Sequence, residues 1–445
     1  MNRLINHQPS LVRSMLVFLA IGLMGFAASS AIGTAQTTPA KDIVTSNWGK
    51  SLDPNQAESF WGGHQGGIET KPQHFMYFAA FDLTSKNRDD VIKLLKAWTA
   101  AAARMSEGET AQPLESGLKL AVTPAAPKGG DADETPDAGL RAADTGEVLG
   151  MPPSRLTITF GFGVGLFLKD GKDRFGLAAR RPEALVDMPN FGSIDQMVKE
   201  HTDGDLVIQA CAEDPQVAFH AVRQLARIAE GVAQIRWVQT SYRPIAGDRH
   251  LLGFSAEEKS PGMNAPQAQT IWVDKEGPDW MRGGSYVVVR RIRFALEHWD
   301  QMPQAYQESA LGEMKHHGVP GDKNPTNVKS SSDNVVTEDN TPPHLTIVIP
   351  GRDAMLRRSY SYNDGVNFTT ERWPPWRQGL EYDAGMFFVC FQRDPRTGFI
   401  AVFRELANHD SRLNQFWTHV GGGLFAVPPG AKQGEYIGQG LFESR

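Results

Sequence analysis

Asp205-Leu-Val-Ile-Gln-Ala-Cys211 is followed by Asp214-Pro215 and then Gln216-Val-Ala-Phe-His-Ala-Val-Arg-Gln-Leu-Ala-Arg-Ile-Ala229, so the apolar pattern changes within a few residues. The first run is short, almost continuously apolar and of strand length. In the second, Val217, Ala221, Val222, Leu225, Ile228 and Ala229 recur at helical spacing and form one buried stripe. Asp214 is a natural N-cap and Pro215 suits the first turn. Gly231 can end the helix, and Ile235-Arg-Trp-Val-Gln239 returns as a strand.

Upstream, Phe75–Phe81 reads as a strand and Asp89–Met105 as a helix with Val91, Leu94, Leu95 and Trp98 on one side. Gly108–Gly150 is rich in Pro, Gly, Ala and Asp and reads as a loop insertion. Arg155–Gly165 is a further strand, and the order strand, helix, strand, strand, helix, strand is that of a split βαβ unit. The second half has a similar plan. Ser285–Ile292 is a strand, Pro303–Met314 a helix and His316–Thr341 a hydrophilic loop. Strands follow at His344–Ile349, Met355–Tyr362 and Met386–Phe391, then a helix near Phe403–Phe416 and a strand at Gly423–Val427. The expected fold class is α+β, with two halves that each carry an antiparallel sheet and helices. Their boundary lies near Pro244–His250.

With 445 residues, two domains are the default. A net charge of -6 argues against nucleic acid as a partner. Two cysteines, Cys211 and Cys390, rule out a disulfide framework or a cysteine-built metal site, and no Cys-x-x-Cys-His attaches a haem covalently. Arg3 and Arg13 precede an apolar run from Met15 to about Ala28, then small residues to Ala35. That is the order of an export signal, residues 1–35, with an uncleaved anchor as the alternative. Residues 36–57 read as a polar tether, 58–246 as the first domain and 247–445 as the second. No other run is long and apolar enough to cross a bilayer, so stable membrane insertion is not expected once the signal is removed. The mature protein is expected in the periplasm or outside the cell.

Gly161-Phe-Gly163-Val-Gly165 suggests a dinucleotide site, but it lies inside a strand pattern and opens no helix. Its glycines read as positions of close packing or of ligand approach to the backbone. No Gly-x-Ser-x-Gly, His-Glu-x-x-His or phosphate-binding loop is present.

Several blocks resemble the dye-decolourising peroxidase family, in its exported deferrochelatase/peroxidase branch. They are Phe60-Trp-Gly-Gly-His-Gln-Gly-Gly-Ile68, Gly204–Pro215, Arg282-Gly-Gly-Ser-Tyr-Val-Val-Val-Arg-Arg-Ile-Arg293, Leu356-Arg-Arg-Ser-Tyr-Ser-Tyr362, Phe391-Gln-Arg-Asp-Pro395 and Phe425-Ala-Val-Pro-Pro-Gly430. The resemblance implies two ferredoxin-like halves, one non-covalent haem b in the C-terminal half, and a homodimer. It implies hydrogen peroxide and a bulky electron donor as partners, the donor being unidentified. The branch often carries a twin-arginine export signal, but Arg13 follows Val12 here.

By position, His344 matches the axial iron ligand and Arg357 the arginine that faces peroxide. A neutral imidazole donates to iron, and an acceptor on its other nitrogen raises its basicity. An arginine stays cationic and can stabilise charge as an O–O bond breaks. His316, His317 and His250 are fallback ligands, read more simply as loop residues. Arg358 is expected to face solvent or an acid, and Ser359 is a small polar group beside Arg357 that can hold a water. The His344-to-Arg357 spacing is shorter than is common in the family, through a trimmed loop at Pro350–Asp353.

One departure limits the resemblance. The family's distal Gly-Phe-Lys-Asp-Gly-Thr reads Gly253-Phe254-Ser255-Ala256-Glu257-Glu258 here, which puts Ala256 where the acid–base aspartate belongs. Such help is typically worth ~10²–10⁴-fold. Three outcomes stay open. Glu257 or Glu258 replaces the carboxylate, or Arg357 and water suffice for a slower peroxidase, or the chain binds haem with little turnover. The last is the deferrochelatase-like alternative, a protein of iron acquisition. A haem-free scaffold that makes protein contacts is the third reading. Ten tryptophans and eight tyrosines could support electron relay, but none is singled out.

Overall fold

The computed structural model describes residues 53–122, 141–247, 249–254, 270–312, 314–315, 355–370, 378–409 and 411–443. The export signal, nearly all of the tether, His344, His316, His317, Ala256, Glu257, Glu258 and the His344–Ile349 strand lie outside them.

Strands form where the apolar runs are short and bounded by turns. They are β1 (Phe75–Leu83), β2 (Thr157–Gly163), β3 (Leu206–Ala212), β4 (Ala233–Tyr242), β5 (Ser285–Phe294), β6 (Leu356–Arg357), β7 (Tyr360–Thr370), β8 (Gln378–Gln392) and β9 (Trp417–Val427). The longer helices are α1 (Arg88–Ser106), α2 (Pro215–Ile228), α3 (Gln304–Leu311) and α4 (Phe399–His409). The Asp214 carboxylate caps α2 as its sequence predicts, accepting from Gln216 N at 2.7 Å. Gly312 ends α3 in the left-handed region. Val164–Phe167 is a helical turn, so β2 stops at Gly163, two residues short of the expected end.

The sheet runs β5-β9-β2-β3-β1-β4-β7-β8, and β5 also pairs with β8, which closes it. All of its ladders are antiparallel. The mixed α/β class with antiparallel strands is therefore as expected, but the two halves do not stand as separate sheets. The first contributes β2-β3-β1-β4 and the second β9-β5-β8-β7. They meet edge to edge, β2 on β9 through Phe162↔Ala426 and Gly163↔Phe425, and β4 on β7 through Tyr242↔Ser361. Edge pairing satisfies backbone groups that an open sheet would leave exposed.

Strand alternation then makes two apolar layers. Val287, Val289, Phe387, Val389, Phe391, Phe78, Trp237 and Phe425 share the interior of the closed sheet. Phe78 lies 5.3 Å from Trp237 and 5.4 Å from Phe387, so both halves fill one core. The opposite faces of the strands pack under the helices, with Trp98 of α1 stacked 5.7 Å from Phe160. A Cβ on Gly163 would come 2.0 Å from Gly204 O, so close strand approach explains that glycine and no nucleotide is needed. Among the described residues, no helix is long and apolar enough to cross a membrane.

Candidate functional site

Arg357 ends β6, a two-residue strand held on β8 by Leu356↔Phe391 and Arg357↔Cys390, and Arg358 follows it directly in extended chain. Successive strand residues point to opposite faces, so the two arginines part company. Arg358 turns into the closed sheet and is 1% exposed. Its guanidinium donates to the carbonyls of Thr70 and Ile68 and to Gln73 Oε1. Its backbone N donates to Val389 O at 2.8 Å. Tyr360 lies beside it with its hydroxyl 3.8 Å from Cys211 Sγ, and burial pushes the Tyr360 phenol well above its ordinary range. The expectation that Arg358 faces solvent or an acid is therefore corrected. It is a buried cation whose terminal nitrogens donate to neutral oxygens, and it ties the segment ahead of β1 to a strand of the second half.

Arg357 points the other way and is exposed. Among the described residues it makes no ion pair. Paired residues in an antiparallel ladder project to one face, so Arg357 shares its face with Cys390, with Val288 opposite Cys390, and with Phe388 two positions along β8. Phe388 and Cys390 are buried at 5% and 0% exposure. The result is an uncommitted guanidinium at the rim of an apolar wall. Phe388 and Cys390 were not singled out from sequence, because their place beside Arg357 follows from the β6–β8 register, which leaves no local pattern. Behind the wall, Gln392 Oε1 accepts from Phe399 N at 2.6 Å and so fixes the start of α4.

Ser359 is half-buried, and its carbonyl accepts from Arg243 Nε at 2.9 Å. Arg243 also lies over the Tyr360 ring at 4.9 Å. The segment leading toward Ala256 is well anchored up to Phe254. Arg249 donates to Gly253 O at 2.6 Å, Trp299 Nε1 donates to Leu252 O at 3.2 Å, and Phe254 packs on Trp299. His250 has Nδ1 engaged by Leu252 N at 3.2 Å. Burial, with Arg249 beside it, pushes His250 down to about 4. Its bond to the local turn fits the reading of His250 as a loop residue. The structure thus brings Arg357 and Ser359 onto one short segment, while His344, Ala256 and Glu257 lie outside the described residues.

Comparison with known proteins bears on the same residues. The family model described as Dyp-type peroxidase, N-terminal, matches residues 65–243, and that described as Dyp-type peroxidase, C-terminal, matches 247–432. The chain is 33% identical over 410 residues to the dye-decolorizing peroxidase of Thermobifida fusca, covering 85% of this chain and 84% of that protein. It is 29% identical over 445 residues to a deferrochelatase of Escherichia coli, covering 95% of each. Among solved structures, a DyP-type peroxidase from Streptomyces coelicolor superposes with a TM-score of 0.68 at 34% identity, over 88% of this chain and 98% of that one. Ferric DtpA from Streptomyces lividans superposes with a TM-score of 0.67 at 34% identity and the same coverage.

Proposed function

From the premise that this chain belongs to the Dyp-type peroxidase family, we propose that Arg357 is the group that meets peroxide and that His344 would hold the haem iron. The protein is a haem peroxidase, an oxidoreductase that takes hydrogen peroxide and an electron donor, with non-covalent haem b as its cofactor. The described residues suit that group on its peroxide side. A guanidinium at an apolar rim supplies a fixed positive charge where low local polarity makes it count. The haem, when bound, supplies the iron at which peroxide accepts two electrons and through which the donor returns them.

The observation that carries the assignment is the opposed burial of the two arginines. Arg358 is consumed by Ile68, Thr70 and Gln73, whereas Arg357 stays available on the open face. Arg357 would bind and orient peroxide and stabilise charge on its departing oxygen. It cannot itself accept the peroxide proton, since arginine stays protonated. With Ala256 at the aspartate's position, that proton has to reach a water or the Glu257 carboxylate. Ser359, beside Arg357, could hold such a water.

A second reading is favoured by Ala256 itself, namely a haem-handling protein akin to the deferrochelatase relatives, with low turnover. Purified protein loaded with haem should show a Soret band, and His344→Ala should alter its axial-ligand signature. An unchanged signature would remove His344 from the site. Ala256→Asp should raise the rate with peroxide by roughly 10²-fold or more if the shuttle is the missing part. If Ala256→Asp leaves the rate level, another group already does the work: Glu257→Gln lowers the rate if that group is Glu257 and leaves it unchanged if it is water.

The finer organisation belongs to the same proposal. Residues 1–35 are an export signal and 36–57 a tether, which puts the mature protein in the periplasm or outside the cell. Residues 58–246 and 247–445 are two ferredoxin-like units, a reading supported by the strand orders β2-β3-β1-β4 and β9-β5-β8-β7. Assembly as a homodimer completes it. Intact mass of the exported protein tests the cleavage site after Ala35.

A further inference from the structure

Residues Arg141–Gly150, the last part of the loop insertion, lie against α2 and bring three metal-ligating side chains together. Asp144, Glu147 and His220 each offer a donor atom, and these atoms all lie within 4.8 Å of one another. His220 and Asp144 are 2% and 6% exposed. The imidazole sits between the two carboxylates, with Nε2 3.4 Å from Asp144 Oδ2 and Nδ1 3.2 Å from Glu147 Oε1. Two buried atoms here have no hydrogen-bond partner among the described residues, His220 Nε2 and Glu147 Oε2. Buried polar atoms are normally satisfied, so an orphaned pair in one small cluster points to something between them.

The surroundings hold the cluster without using those atoms. Asp144 Oδ1 accepts from Gly146 N at 2.8 Å, and Oδ2 takes only a 3.3 Å contact from Ala111 N. Gln224 donates to Thr145 Oγ1, and Arg227 donates to Ala142 O at 2.7 Å and to Gln224 Oε1 at 2.7 Å. If Nδ1–H donates to Glu147 Oε1, the tautomer is fixed and Nε2 keeps its lone pair. A carboxylate on the outer nitrogen is the usual support for a metal-binding histidine.

We propose that Asp144, Glu147 and His220 form a site for a divalent cation of the zinc class, Glu147 orienting the imidazole through Oε1 and offering its unpartnered Oε2 to the ion, distinct from the haem and independent of the peroxidase reading. One imidazole nitrogen and two carboxylate oxygens, with no thiolate, suit a borderline ion such as Zn²⁺. Arg223, 3.2 Å from Glu147 Oε1, opposes a cation, but its side chain is 47% exposed and can turn to solvent. Water fills the remaining coordination positions. The ion would tie the loop's end to α2, a structural role.

The test uses haem-loaded protein, so that His344 is not free to capture zinc. After treatment with a chelator that leaves haem iron in place, the protein is dialysed against Zn²⁺ and the bound metal counted. About one zinc per chain is expected in the wild type, with a melting temperature that rises with zinc concentration. Asp144→Asn and His220→Ala should each weaken zinc binding by on the order of 10- to 100-fold. Asp144→Asn keeps an oxygen for Gly146 N, and its Soret band and circular dichroism show whether the fold is intact. The proposal is overturned if the wild type holds no more zinc than the variants, or if folded Asp144→Asn holds as much as the wild type. Either result would leave His220 as a structural contact between the two carboxylates.

Discussion

Arg357 and Arg358 are adjacent and identical in chemistry, yet they should behave as opposites. Removing Arg358 strands Thr70, Ile68 and Gln73 oxygens in the interior, where each has lost its donor. Arg358→Ala is expected to lower stability by about 3–5 kcal/mol in urea denaturation, since each stranded buried acceptor costs about 1–3 kcal/mol. Arg357→Ala should stay within about 0.5 kcal/mol and instead slow the reaction with peroxide by ~10²–10³-fold in stopped flow. Equal stability losses in the two variants would contradict the assignment of faces. The sequence located this pair and favoured Arg357, but it read Arg358 as facing solvent or an acid. Composition cannot separate two neighbouring arginines. Only strand parity and the pairing Arg357↔Cys390 do so, and register is a long-range property.

At the level of elements, β8 carries the closure of the sheet. A Cβ on Gly385 would fall 2.0 Å from Ile292 O, whereas one on Gly379 would meet nothing within 4 Å. Gly385→Ala should therefore destabilise by about 1–3 kcal/mol through strand displacement, with Gly379→Ala close to neutral. A Gly385→Ala protein as stable as the parent would mean that the β5–β8 contact is loose. Near the end of the same strand, the Arg393 guanidinium holds the Glu276 carboxyl at about 2, well below its ordinary 4.5. Arg393 NH2 donates to Glu276 Oε2 at 2.8 Å. Because the folded value is the lower one, this pair's contribution is present above 4.5 and fades as pH falls toward 2. The pair is partly exposed, so the effect is small. Comparing urea midpoints of the parent and Glu276→Gln across that window should show the difference shrinking with acidification. Helices α1 and α2 were legible almost to the residue, since caps and apolar spacing are local signals. The β7–β8 hairpin runs longer than read because Val366, Phe368, Leu380 and Tyr382 lie on its exposed part, where burial leaves no pattern.

For the whole molecule, the shared interior predicts one unfolding event. Phe78 and Trp237 from the first half interlock with Phe387 and Phe425 from the second. Arg291 of β5 donates to Gln239 Oε1 of β4 at 2.7 Å and to Asp364 and Asp383 at 2.8 Å each. Tryptophan fluorescence and far-ultraviolet circular dichroism should therefore give coincident denaturation curves. Cutting the chain at an engineered site near residues 244–247 should leave the halves associated. Two separated transitions, or halves that part in dilute buffer, would show that the core is not shared. The mixed α/β class with antiparallel strands was readable because strand and helix patterns alternate along the chain. Closure was not, since β2–β9 and β4–β7 join residues far apart in sequence at only a few pairs.

The anchorage of Arg358 has one more consequence. A strand of two residues could slide by one place, and the slip would exchange the arginines without changing any charge. The interior bonds of Arg358 make the exchange costly, so they act as a fixed stop for the chain at that point. Residues gained or lost ahead of the stop are then taken up before it. The aim of Arg357 becomes independent of the length of chain that precedes it, so that length can change while Arg357 keeps its face.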